Sequence, residues 1–96
     1  DAKLKNSDDY KKLVQEFKKS LPDIVTTMKS NAESDNIKPV QSEAHKLKGS
    51  AASLGFPKLS FIATDIEIYA KANDTNKVLS SLNDLEQAIK AAIEED

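Results

Sequence analysis

Apolar residues recur at steps of three and four along almost the whole chain, the spacing of helices with one buried stripe. Tyr10, Leu13, Val14, Phe17, Leu21, Ile24, Val25, Met28 and Ala32 form the first stripe, with lysines and acids filling the other face. Pro22 falls inside it, where a proline removes a backbone donor and crowds the preceding turn. The stripe continues beyond Pro22 in the same phase, so the pattern predicts one long helix over about 8–33, kinked near Pro22 and not ended there. Residues 31–38, rich in Asn, Ser and Asp, read as a connection, and Pro39 suits the first turn of a new helix. Val40, Ala44, Leu47, Ala51 and Leu54 make a second seam over 38–54. Gly55 is placed for a C-terminal cap and Pro57 for the next helix start. Leu59, Ile62, Ala63, Ile66 and Ala70 mark a third helix over 57–72. After the break at Asn73-Asp74-Thr75, Val78, Leu79, Leu82, Leu85, Ile89 and Ile93 mark a fourth over 75–94.

Four amphipathic helices with short connections predict an all-α fold, an antiparallel four-helix bundle spanning residues 8–96 as one domain. Residues 1–7, with Leu4 their one large apolar side chain, are expected to fray. Two glycines and three prolines in 96 residues are too few for the turns of a multi-stranded sheet protein.

Composition narrows the chemistry. Fourteen lysines against sixteen acids leave a net charge of -2, which argues against a dedicated nucleic-acid binder. The lack of cysteine removes disulfides, thiolate metal sites and thiol nucleophiles, and fits a reducing cytoplasm, the expected setting. A single histidine excludes a two-histidine metal site, so no metal ligand set is expected. No glycine-rich phosphate loop or catalytic triad is evident, which disfavours a hydrolase. No apolar run approaches the roughly 20 residues that span a bilayer, so no membrane insertion is expected. Asp1-Ala2-Lys3-Leu4 opens no apolar segment of the signal-peptide kind. Without an initiator methionine, we expect a domain cut from a longer protein or a processed product.

The informative run is Ser42-Glu43-Ala44-His45-Lys46-Leu47-Lys48-Gly49-Ser50-Ala51-Ala52-Ser53-Leu54-Gly55. His45, Lys48 and Gly49 are spaced i, i+3 and i+4 and share one helix face, which Gln41, Ser42 and Ala52 extend. That face adjoins the apolar seam, so His45 is expected at the rim of the core with one ring edge exposed. A mid-helix glycine costs about 1 kcal/mol relative to alanine. Its ordinary use is close helix packing, but one turn beyond the only histidine it would also clear a path to the imidazole. A lysine is ordinarily a solvated charge, yet the Lys48 ammonium is placed to neutralise an anion carried on the ring. Together they suggest an imidazole that receives a phosphoryl group, a covalent role open to histidine.

The run A-H-K-L-K-G-S-A-A-S-L-G, followed by Phe56-Pro57-Lys58-Leu59 and Asp65-Ile66-Glu67, resembles the signature of histidine-containing phosphotransfer (HPt) domains. The resemblance implies a four-helix bundle whose exposed histidine accepts a phosphoryl group from a receiver-domain aspartate and passes it to another. It implies His45 as phosphoacceptor, Lys48 as the lysine stabilising phosphoryl charge and Gly49 as the residue opening the approach. Leu47, Leu54 and Leu59 match packing positions. It further implies no kinase activity or cofactor in the domain, with Mg²⁺ supplied by the receiver. The implied partners are response-regulator receivers and a hybrid sensor histidine kinase, and a monomer is expected. Lys46 departs from the family's usual small Thr or Ser and bears on partner preference. Two other readings are a chemotaxis-type kinase phosphoacceptor domain, labelled from ATP by a separate kinase domain, and a helical interaction domain without phosphotransfer.

Glu67 sits where the family often has an acid or amide bonded to the other ring nitrogen. Hairpin arithmetic points the same way. His45 and Glu67 lie eleven residues either side of Phe56, the centre of the turn, and so at one height. By the same count Lys48 is level with Thr64, and Ala52 with Ser60. Phe61, Thr64 and Ile68 form a second stripe outside the main seam, expected to join Gln41, Ser42 and Ala52 as a docking patch.

Overall fold

The apolar stripes become four helices. A computed structural model describes residues 8–94 of the chain. Helix α1 spans Asp8–Glu33, α2 Ile37–Ser53, α3 Pro57–Lys71 and α4 Thr75–Glu94, and no strand occurs among the described residues. Each boundary falls within one residue of the pattern's prediction. The segment 1–7, expected to fray, lies outside the described residues. Helix α1 passes unbroken through Pro22, which sits exposed on its outer side. Close by, the Ser20 hydroxyl donates to the Phe17 carbonyl at 2.7 Å.

The three connections share one geometry. Asn36 N–H donates to the Asn31 carbonyl (2.7 Å), Phe56 N–H to Ala51 (2.8 Å) and Asp74 N–H to Tyr69 (3.0 Å). The residue before each donor is left-handed: Asp35 at φ 61°, Gly55 at 86° and Asn73 at 55°. These are Schellman closures, which satisfy the last carbonyls of a helix and reverse the chain within three residues. Asp74 then accepts the Lys77 N–H at 3.2 Å, capping the start of α4.

Such short turns force neighbouring helices antiparallel, and α2 packs on α3, α3 on α4, α4 on α1 and α1 on α2. Leu21, Met28, Val40, Leu59, Ile66, Val78, Leu82 and Leu85 fill the centre. The connection expected over 31–38 is shorter than its composition suggested. Helix α1 continues to Glu33 and buries Ala32, and α2 begins at Ile37, itself buried, so only residues 34–36 link them. Burial of one apolar side chain at each end outweighs the turn propensity of the polar residues between.

The first stripe also needs correcting. No residue from Asp8 to Ser20 is buried, and Leu13 is 49 % exposed. Most of this part of α1 runs past the core; Phe17 packs against its edge, and the segment also touches the α2–α3 turn. The Phe17 and Phe56 rings lie 5.4 Å apart, and Tyr10 donates its hydroxyl to the Leu54 carbonyl at 3.2 Å. At the far end of α4, Ala88 and Ala92 take the buried face and leave Ile93 partly exposed. Leu54, a seam residue in the pattern, is only half-buried because it already belongs to the turn.

Candidate functional site

The helical hairpin of α2 and α3 assembles the site. His45 projects from α2, its side chain 66 % exposed, and its Nδ1 lies 2.8 Å from Oε2 of Glu67 on α3. One turn on, Lys48 donates from Nζ to the other oxygen, Oε1, also at 2.8 Å. Glu67 is the one buried charged residue among those described, and both its oxygens are engaged. The matching heights of His45 and Glu67 therefore translate into a direct contact.

The Lys48 ammonium is the main cause holding the Glu67 carboxyl below its ordinary value. Burial works the other way, and the hydrogen bond from His45 reinforces Lys48. An ionised carboxylate can only accept, so Nδ1 must be the protonated nitrogen of the neutral ring. Nε2 is then bare, with a lone pair free to act as a nucleophile.

The Lys48 ammonium lies in an ion pair with Glu67, whose other oxygen meets His45 Nδ1. Two further contacts were not anticipated from the sequence. Lys71 places Nζ 3.8 Å from Glu67 Oε2, a contact whose only sequence signal was the i, i+4 spacing on α3. Ser60 donates its hydroxyl to the Lys48 carbonyl at 3.0 Å, tying α3 to α2 beneath the site. Hairpin counting had set Ser60 against Ala52, but the side chain reaches back one turn. Thr64, expected level with Lys48, hydrogen-bonds within its own helix, to the Ser60 carbonyl at 2.8 Å.

Gly49 is not a packing glycine. A Cβ built there would meet nothing within 4 Å, so no neighbouring helix requires its absence. It helps to floor an open depression shared by His45, Lys46, Ser50, Ser53 and Leu54. On α3, Phe61 is 74 % and Ile68 55 % exposed, and with Thr64 they keep the spacing of one helix face. Ala52, Pro57, Ser60, Phe61 and Thr64 line a second open depression between the two helices. Ser42 and Ala52 are exposed on α2 and Gln41 is half-buried.

Among the described residues no group of three or more His, Cys, Asp or Glu side chains could hold a metal ion. No helix there is long and apolar enough to cross a membrane. A protein-family model, described as Hpt domain, matches residues 12–95. No individual curated protein and no solved structure matches the chain.

Proposed function

The chain belongs to the Hpt-domain family, the phosphotransfer carriers of two-component signalling, and from that premise we propose that His45 takes a phosphoryl group on Nε2 from one receiver aspartate and yields it to another. One observation carries the reading: an exposed imidazole has its Nδ1 committed to a buried carboxylate, which leaves Nε2 as the free nucleophile.

In the forward step the Nε2 lone pair attacks phosphorus of the acyl phosphate. The N–P bond forms, the P–O bond to the aspartate breaks, and the aspartate leaves as carboxylate. No proton moves. The Nδ1 proton stays on the ring, which becomes cationic as the phosphoryl group arrives, and Glu67 stabilises that charge. The product is a phosphoramidate, reactive enough to be passed on by the reverse of the same step. Lys48 lies close enough to swing towards the phosphoryl oxygens. Gly49 leaves room for the receiver backbone to approach the ring.

Phe61, Thr64 and Ile68, with Gln41, Ser42 and Ala52 on the adjoining helix, form the surface a receiver covers. The receiver brings Mg²⁺ with its own acidic site, and the domain contributes no cofactor. A hybrid sensor kinase is the source of phosphoryl groups upstream, and the exchange takes place in the cytoplasm. A monomer suffices, since α2 and α3 of one chain supply every site residue.

The test is labelling by receiver domains carrying radioactive phosphate, run beside labelling from ATP with a histidine-kinase catalytic domain. The proposal expects acid-labile phosphate from receivers, lost in a folded His45→Gln protein. Labelling from ATP and the kinase domain alone would favour a chemotaxis-type phosphoacceptor. No label from either donor would leave a helical interaction domain.

A further inference from the structure

Glu67 has more cations than a resting carboxylate requires. Lys48 is hydrogen-bonded to Oε1, while Lys71, four residues along α3 and 60 % exposed, stands 3.8 Å from Oε2. That distance is about 1 Å longer than a charge-assisted hydrogen bond, a gap that a rotation of its flexible side chain closes.

The surplus acquires a use once His45 is phosphorylated, and the inference rests on that reading of the site. Two negative charges then appear on the phosphoryl group beside Lys48, and Lys48 can follow them only by releasing Oε1. The cationic ring stays on Oε2, but Oε1 is then left buried without a hydrogen-bond partner, which is disfavoured. Formal charge shows how the loss is met. The cationic ring, the phosphoryl dianion, Glu67 and Lys48 together carry one net negative charge, and Lys71 brings the cluster to neutrality. We infer that Lys71 is a positioning residue that takes over Glu67 as Lys48 turns to the phosphoryl group. Glu67 then keeps its grip on Nδ1 throughout the cycle, and His45 remains aimed while its charge changes.

The experiment uses the full chain and phosphoramidate as a small donor, so that no docking surface is involved. The P–N bond of the donor breaks, ammonia leaves and the Nε2–P bond forms, with the Nδ1 proton retained. In the parent protein, the Lys48 side-chain NMR signals should shift on phosphorylation. Lys71→Met should leave those signals and the His45 tautomer unchanged before phosphorylation, because Lys48 still holds Glu67. After phosphorylation the Lys48 shift should shrink, and the phosphohistidine lifetime should fall about two- to fivefold, the scale of a partly exposed ion pair. Lys71→Arg should restore both. A Lys71→Met protein matching the parent in lifetime and in the Lys48 shift overturns the inference, as does a parent whose Lys48 signals ignore phosphorylation. A parent that takes no label from phosphoramidate or from receivers overturns the underlying phosphotransfer reading.

Discussion

His45 and Glu67 meet at 2.8 Å across the α2–α3 interface, one side chain mostly in water and the other almost wholly out of it. The asymmetry makes the pair a directional device. The buried partner is ionised and has both oxygens hydrogen-bonded, so it dictates which ring nitrogen holds the proton, and the exposed partner offers the remaining nitrogen to whatever approaches.

Stability should depend on pH through Glu67. Its folded-state value is depressed, so its contribution is complete above the ordinary glutamate value of about 4.3 and is lost as pH falls through the lower folded value. Urea melts should find Glu67→Gln about 1–3 kcal/mol less stable than the parent at pH 7. The difference should narrow as pH falls below the ordinary glutamate value, and a gap that stays constant with pH would contradict the assignment. Imidazole ¹⁵N shifts at neutral pH should also show the Nδ1–H tautomer losing its dominance in Glu67→Ala.

Gly49 can be replaced at no cost to packing. Gly49→Ala should raise stability by about 0.5–1 kcal/mol, because the new methyl meets only open space and the helix gains propensity. Gly49→Gln should slow transfer from a receiver at least tenfold, on the order of the loss expected from misplacing reacting groups, yet leave labelling by phosphoramidate near the parental rate. Equal receiver rates in the two proteins would show that access to His45 is not set there.

Phe61 and Ile68 are large apolar side chains with little folding work to do. Phe61→Ser and Ile68→Ser should each change stability by no more than about 0.5 kcal/mol, as expected for exposed positions. Both should weaken receiver transfer while sparing the small-donor reaction. Stopped-flow transfer rates and thermal melts on the same preparations separate the two effects.

The helices were legible because burial imposes a period on the sequence, and each helix boundary carries its own chemistry. Gly55 and Pro57 mark the α2–α3 turn openly. The equivalent turns at Asp35 and Asn73 are less visible, since a left-handed Asp or Asn looks like any polar loop residue until its backbone is known. His45 and Glu67 could be paired by counting from Phe56, since position along two antiparallel helices is a matter of rise per residue. Counting could not show where a long side chain goes. Lys48 turns inward to Glu67, Lys71 leans back along its own helix and Ser60 reaches one turn away from its level partner. Each was decided by the need to satisfy a buried charge or carbonyl, which periodicity does not encode. The exposure of Leu13 was hidden for a related reason: an apolar stripe tells which face turns inward but not where the core ends.

The overhang of α1 divides the domain into parts of unequal permanence. From Leu21 onward α1 is anchored by buried side chains, whereas its residues up to Ser20 bury none and meet the turn through Tyr10 and Phe17. Amide hydrogens of residues 12–18 should exchange with solvent through openings that leave the rest of the bundle closed, and those of 25–32 only when it unfolds as a whole. The released segment lies against Leu54 and Phe56, at the same end of α2 as the depression beside His45. Tension or binding applied to α1 ahead of Leu21 would thus act on a stretch that buries no side chain, and would loosen this turn without melting the four-helix core.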